Sequence, residues 1–326
     1  MPELPEVEVV RRGLEPRTVG RTVTGLELLD ARIIRRQAGG ADRLRAALEG
    51  STLTAVARRG KFLWWRLADP DGADTGEALM GHLGMSGQLR LTTPEGTAVT
   101  PGVPPALSVP SEGPASDPLR HRRLSLHLDD GARVDLVDQR LFGGLWASPL
   151  VEAADGALAG LGSPDALLPE SASHIARDLV DPAADLPAIA RTLRTRRSAI
   201  KTLLLNQEIV SGIGNIYADE ALWAARTRYD TPGTALSQRK ALEILRAARD
   251  VMERALAAGG TSFDALYVDV EGRSGYFARS LHSYGREGEP CDRCGATIRR
   301  KPFMNRSSFY CPRCQRVRSR PAQASP

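Results

Sequence analysis

The 326-residue chain has no cysteine before position 291, no acidic residue after position 292, no internal repeat, and no apolar run near the ~20 residues that cross a bilayer. Each absence excludes something. Glu3, Glu6, Glu8, Arg11 and Arg12 break the first apolar stretch, so neither a leader of the secretory kind nor a membrane anchor is expected, and a cytoplasmic protein is. With its thiols confined to one end, the body of the chain has no disulfide framework, and at this length it can bury a core without one. Length alone makes two domains the expectation.

What is present is unevenly placed. Nine of the 44 basic residues lie from Arg293 onward, so the other 35 face 39 acidic residues and the rest of the chain is net negative. A positive end of this kind fits a polyanionic partner, with a solvated tail as the alternative. The four cysteines occupy the same region as Cys291, Cys294, Cys311 and Cys314. Two CxxC pairs separated by sixteen residues match a structural zinc ribbon, in which four thiolates hold one Zn2+. Paired disulfides fit less well, because a CxxC disulfide belongs to redox sites.

The first ~150 residues read mostly as strands. Leu124, Leu126 and Leu128 alternate with polar residues, and Asp129, Asp130 and Gly131 offer a turn into ARVDLV, predicting a hairpin. TVTGLELL, LTAVARRGKFLWWRL and ALMGHLGMSGQLRL are further strand segments, and an antiparallel sandwich follows. Residues 92–118 are rich in Pro, Gly, Ser and Thr and read as a surface loop. Beyond Leu150 apolar residues recur three and four apart in RTLRTRRSAIKTLLL, NIYADEALWAA and SQRKALEILRAARDVMERALAAGG, the last with Ser237 as cap and Gly259 and Gly260 as stop. The expected class is α+β. Its parts are a β-sandwich over 1–150, a linker over 151–165, a helical domain over 166–284 and a zinc finger over 285–320.

Two short stretches carry chemistry. The opening MPELPEVE places Pro2 behind the initiator methionine; removal of Met1 would leave a secondary amine, a potential nucleophile, although a proline at a helix start needs no such role. In NQEIVSGIGNIYADEALW, Gly212 and Gly214 permit positive φ and close backbone approach, and Asn215 falls at a helix N-terminus that favours a phosphate. A glycine turn with an Asn cap is the plainer reading.

Taken in order, MPELPEVE, RRGKFLWW, HLGMSG, DQRLFGG, SGIGNIYADEAL, GGTSF, SGYF, YGREGEPC and NRSSFYCPRCQ resemble bacterial formamidopyrimidine-DNA glycosylase, which removes oxidised purines such as 8-oxoguanine and cleaves the resulting abasic site. The likeness covers nearly the whole chain, with the proline-rich loop as its main gap. It implies a β-sandwich flanked by helices, a helical domain with a helix-two-turn-helix element, and a zinc finger. The implied partner is double-stranded DNA with an oxidised base or abasic site, bound by a monomer in the cytoplasmic nucleoid.

The resemblance also assigns residues. Pro2 is the nucleophile: an α-amino group titrates near ~8 against ~10.4 for lysine, so much more of it is unprotonated at neutral pH. Glu3 is the general acid and base, favoured in its ionised form by a helix start and disfavoured by burial. Glu6 lies on the same helical face and either orients its neighbours or complements the helix dipole. Lys61 contacts the phosphate beside the lesion and assists catalysis, unless RRGK is a solvated basic strand face. Lys201, Asn215 and Arg306 bind phosphates around the extruded nucleotide, a task that suits the planar fork of arginine. Met85, Arg140 and Phe142 form the wedge that fills the vacated stack, although Met and Phe are more often core residues. Leucine stands at 141 where many members carry a second arginine, so one phosphate contact is expected to be missing. VDVEGRSGYF, with Gly272 and Gly275, corresponds to a loop that closes over the lesion. An endonuclease VIII-like enzyme for oxidised pyrimidines is the nearest alternative, disfavoured by ELPE at the front. A non-catalytic zinc-finger DNA-binding protein is the other, and it leaves the opening octet unexplained.

Overall fold

The computed structural model describes residues 2–94, 119–260 and 280–316. Most of the loop at 92–118 and all of VDVEGRSGYF lie outside these residues. Among the described residues no helix is long and apolar enough to cross a membrane.

The chain begins with helix α1 (Leu4–Thr18), whose first turn is closed by a reciprocal capping box between Glu3 and Glu6. Val7, Val10 and Leu14 recur at helical spacing and are buried. Strand β1 (Val23–Leu28) and helix α2 (Gly40–Leu48) follow. The run LTAVARRGKFLWWRL becomes a hairpin of β2 (Thr52–Arg59) and β3 (Phe62–Ala68), turning at Gly60 with φ 59°. β4 (Asp74–His82) extends this sheet, whereas β5 (Gln88–Thr92) crosses to the other. The expected hairpin forms as β6 (Arg122–Leu128) against β7 (Arg133–Val137), with Gly131 at φ 80° in its turn.

Two antiparallel sheets result, ordered β1-β6-β7-β5 and β2-β3-β4-β8-β9, where β8 is Gly144–Glu152 and β9 is Leu167–Pro169. Their inner faces interleave Leu26, Leu124, Leu126 and Leu136 with Val56, Leu63, Trp65 and Leu79, and α1 and α2 close the core. This is the sandwich the alternation implies. The last strand, β9, pairs with β8 through Leu150, Val151 and Glu152. Residues 153–166 are therefore a return connection within that sheet.

The helical half contains α3 (Leu186–Arg194), α4 (Ile200–Leu204), α5 (Asn215–Ala224) and α6 (Gln238–Ala257). Ser237 Oγ accepts from Lys240 N at 3.1 Å to cap α6, and Gly259 and Gly260 at φ 76° and 94° end it. RTLRTRRSAIKTLLL is split between α3 and α4. The carbonyls of Arg196 and Ser198 accept from Thr234 N and Gly233 N, both at 3.0 Å, so a neighbouring segment takes the groups that a continuous helix would have used. The chain closes with the hairpin β10 (Arg299–Phe303) and β11 (Arg306–Tyr310).

The two cores meet at the opening octet. Leu4 is buried among the helices with Leu179, Val210 and Ile213, while Val7, three residues on, belongs to the sandwich core. Burying each such side chain contributes about 1.5–3 kcal/mol, so the front of the chain is fixed where the halves join.

Candidate active site

Helix α5 starts at Asn215 without a side-chain cap of its own, and its N-cap residue is Gly214. The anion that serves it comes from the other end of the sequence. Glu3 accepts from Gly214 N at 2.7 Å, Ile216 N at 2.9 Å and Tyr217 N at 3.4 Å. One carboxylate thus ends the orphan donors of α5 and, as N-cap of α1, sits at two helix N-termini at once. Of the two uses open to Gly214, positive φ and close approach, the structure shows the second: its backbone is extended, at φ −121° and ψ −160°. Its requirement is space, since a Cβ there would lie 2.2 Å from Glu3 Cδ. Gly212 does have positive φ, at 85°. The opposing influences on Glu3 resolve in favour of burial, which raises its pKa against the lowering effects of the Lys61 charge and the Ile216 N–H.

Glu6 Oε2 accepts from Glu3 N at 2.8 Å, and Glu6 Oε1 accepts from Tyr217 Oη at 2.9 Å. Pro2 is buried immediately before this cluster. Lys61 follows the Gly60 turn and donates from Nζ to Ile213 O at 2.9 Å. Burial lowers its pKa, opposed by Glu3. Gly60 is needed here as well, because a Cβ would come within 2.7 Å of the Ser211 side chain.

The solvated basic face is excluded. Arg58 is fully buried and donates to Glu8 Oε2 at 2.8 Å and to Asp178 Oδ2 at 2.7 Å, and Asp178 also accepts from Gly60 N at 2.9 Å. This charged network ties α1, the β2–β3 turn and the helical half together directly behind Lys61. It escaped the sequence reading because nothing local to RRGK reveals a partner 120 residues away.

Lys201 and Asn215 converge on one atom. Lys201 Nζ donates to Ser307 O at 3.0 Å, and Asn215 Nδ2 donates to the same oxygen at 3.1 Å. Lys201 is also fully buried and donates to Asp219 Oδ1 at 2.6 Å and Ser308 Oγ at 2.8 Å, so its three ammonium hydrogens all have protein acceptors. Asp219 Oδ2 accepts from Phe309 N at 2.9 Å. These bonds dock the β10–β11 hairpin on α4 and α5, with the exposed Arg306 one residue from the shared carbonyl.

Met85 and Phe142 are not core residues: they are 41 % and 50 % exposed. Arg140 is exposed two residues before Phe142, and Leu141 between these two has φ 59°. All three wedge positions lie on two loops at one end of the sandwich, residues 83–87 and 138–143.

The four cysteine Sγ atoms lie within 4.8 Å of one another, with Cys294 Sγ 3.5 Å from both Cys311 Sγ and Cys314 Sγ. Zinc–thiolate bonds of ~2.3 Å arranged tetrahedrally give edges of ~3.8 Å, so the set fits one structural Zn2+. Trp223 Nε1 donates to Cys291 Sγ at 3.3 Å from α5, joining the metal knuckle to the helix that Glu3 caps.

Family models match three parts of the chain: the formamidopyrimidine-DNA glycosylase N-terminal domain at 1–145, the H2TH domain of the same enzyme at 175–266, and a zinc finger found in FPG and IleRS at 288–317. The chain belongs to the formamidopyrimidine-DNA glycosylase family. Relatives of that name are 51% identical in Leifsonia xyli, over 97% of this chain and 100% of the relative, and 48% identical in Corynebacterium glutamicum, over 98% and 100%. Among solved structures, the complex of Lactococcus lactis Fpg with abasic-site DNA aligns with TM-score 0.72 and 27% identity, covering 96% of this chain and 99% of the other. A mutant of the same enzyme bound to Fapy-dG-containing DNA aligns with TM-score 0.73 and 27% identity, covering 96% and 99%.

Within this glycosylase family fold, the sequence reading missed Gln207 and His82. Gln207 braces the glycine turn, accepting from Gly212 N at 2.9 Å and donating to Ile213 O at 3.1 Å. His82 lines a cleft of about 310 Å³ with Lys61, His174 and Asn206. Burial, aided by the Arg36 charge, pushes its pKa down to about 4, so the ring is neutral at physiological pH. Its place at the head of HLGMSG is the signal that could have marked it.

Proposed function

We propose that this protein is a bifunctional DNA-repair glycosylase and abasic-site lyase for oxidised purines, 8-oxoguanine and formamidopyrimidines, acting through Pro2. The observation that carries the reading is the buried Glu3 carboxylate, adjacent to Pro2 in sequence and close enough to Lys61 for their charges to interact.

With Met1 removed, the imino nitrogen of Pro2 attacks C1′ of the damaged nucleotide, the glycosidic C–N bond breaks with its electron pair leaving on the base, and the proton lost from the proline nitrogen neutralises the departing base. Glu3, which burial makes easier to protonate, delivers a proton to the ring oxygen, and ring opening leaves an iminium at C1′. Loss of a C2′ proton to the Glu3 carboxylate then expels the 3′ phosphate, and a second elimination expels the 5′ phosphate. Lys61 holds the phosphate beside the lesion, and Glu6 orients Glu3 through its N–H. Asn215 and Arg306 engage the flanking phosphates, and Lys201 supports them from beneath through Ser307 O. Met85, Arg140 and Phe142 fill the space left by the extruded base, which their exposure suits. The chain divides for this work into a catalytic sandwich over 1–150, to which residues 151–152 of β8 and strand β9 also belong so that 151–165 is a connection within the sheet, a helical DNA-binding part after β9 up to 284, and a zinc finger at 285–320. It acts as a monomer on nucleoid DNA.

Excision from 8-oxoguanine:C and thymine-glycol:A duplexes, compared under single-turnover conditions, tests the substrate class. Faster release of the purine lesion is expected. Preference for the pyrimidine would assign the chain to endonuclease VIII-like chemistry, and binding without cleavage would make it a DNA-binding module.

A further inference from the structure

The three wedge side chains lie on two loops, and a wedge works only if both loops present them as one body. The loop at 83–87 joins β4 to β5 and carries Met85; the loop at 138–143 joins β7 to β8 and carries Arg140 and Phe142. Two residues outside the wedge connect them.

Asp138 is fully buried between the loops. Its Oδ1 accepts from Ser86 Oγ at 2.6 Å and from Arg140 N at 3.1 Å, and its Oδ2 accepts from Gly143 N at 2.7 Å. One carboxylate therefore bonds the residue after Met85, the wedge arginine itself and the residue after Phe142. Arg35, just past the 3-10 turn Ala31–Ile34, grips the second loop from outside. Its Nη1 donates to Leu141 O at 2.8 Å and Gly143 O at 2.9 Å, and its Nη2 donates to Phe142 O at 2.9 Å. Three successive carbonyls on one guanidinium need a planar fork, which lysine does not have.

The loop so held is not one the chain would choose unaided. Leu141 sits at φ 59°, a region bulky residues leave unless their surroundings over-determine it. The loops also touch backbone to backbone, since a Cβ on Gly84 would lie 2.4 Å from Gly143 N. The Leu141 side chain packs against the sandwich core, and Asp138 and Arg35 bond the backbone on either side of it.

We propose that Asp138 and Arg35 are positioning residues that lock Met85, Arg140 and Phe142 into one pre-formed wedge, and so govern extrusion of the lesion and discrimination of the base opposite. This rests on the wedge assignment above. Neither residue touches the reacting atoms, so their loss acts on steps that need the wedge and spares the lyase chemistry that does not.

The test measures single-turnover cleavage of an 8-oxoguanine duplex, opposite cytosine and opposite adenine, against cleavage of a single-stranded abasic oligonucleotide, which has no base to extrude. In Arg35→Met and Asp138→Asn the duplex-to-single-strand rate ratio falls about 10- to 100-fold, the scale of an ångström-level misplacement. The cytosine-to-adenine ratio moves toward one, and Arg35→Lys recovers part of the loss. Arg35 is exposed, so its variants fold even if Asp138→Asn does not, and Arg35→Met then decides alone. A combined Met85→Ala, Arg140→Ala, Phe142→Ala variant separates the two levels. If it loses the duplex ratio while the Arg35 and Asp138 variants keep the wild-type value, the positioning role is refuted. If it too keeps the ratio, the wedge assignment fails and the positioning role with it.

Discussion

Replacing Gly214 by alanine adds one methyl group at the point where the front of the chain meets α5. The backbone tolerates it, since φ −121° and ψ −160° suit any residue, so the effect is steric. The new Cβ would lie 2.2 Å from Glu3 Cδ and 2.4 Å from Oε1, where ordinary contact begins at 3.4 Å. Glu3 must therefore retreat by more than ~1 Å, and the bonds at 2.7 Å and 2.9 Å to Gly214 N and Ile216 N cannot both survive. Hydrogen bonds to a charged acceptor contribute about 1.5–3 kcal/mol each, so a stability loss of about 3 kcal/mol is expected. Displacing the acid from its working position should also slow cleavage by ~100-fold. Urea unfolding and single-turnover cleavage of an abasic duplex read the two effects. Gly25→Ala, with nothing within 4 Å of its Cβ, serves as the neutral control. If Gly214→Ala unfolds with the wild type and retains more than half its rate, Glu3 is not held as described.

Two further outcomes follow from the buried charges and the metal knuckle. Burial pushes the Glu8 pKa up, but the Arg58 and Arg11 charges outweigh it and hold the folded value below the usual one. The folded state thus binds fewer protons, so Glu8 stabilises fully above ~4.3 and that stability is lost as pH falls through the depressed value. The urea midpoint should drop between pH 6 and pH 3, and Glu8→Gln should lower the unfolding free energy at pH 6 by about 3–5 kcal/mol and the midpoint with it, because Arg58 is left with one buried partner fewer. An unchanged pH 6 midpoint would remove Glu8 from the junction. Chelating zinc should abolish affinity for an abasic duplex in fluorescence anisotropy, since the ribbon takes its folding energy from the metal and the Arg306 hairpin goes with it. Metal-free protein that binds as tightly as the holoprotein would refute the dependence.

Much of this was legible in sequence because it is local. Period-two leucines and a DDG turn specify β6 and β7, a period near 3.6 specifies α6, and two CxxC pairs specify the metal knuckle. The opening octet pointed to chemistry only through the family resemblance, since proline and glutamate also begin ordinary helices. What was not legible is tertiary. Gly214 had two uses open to it, and only the fold shows that it admits a carboxylate from 211 residues away. The resemblance gives Lys201 a phosphate to bind, yet it is fully buried and its ammonium donates to Asp219 and to the Ser307 and Ser308 oxygens. Arg58 and Asp138 lie inside RRGKFLWW and DQRLFGG and Arg35 in no motif, but the role of none of the three is readable there, because the acids, carbonyls, hydroxyl and N–H groups they bond are set beside them only by the fold. The split between α3 and α4 was hidden for the same reason: the competing hydrogen bonds come from Gly233 and Thr234.

Whether the imino nitrogen of Pro2 is the nucleophile is tested most directly by borohydride reduction during cleavage of an abasic duplex, followed by peptide mapping of the protein–DNA adduct by mass spectrometry. The adduct should fall on the amino-terminal peptide at Pro2, in protein that has lost Met1. An adduct on the Lys61 peptide, or trapping at the wild-type level in protein that retains Met1, would contradict it.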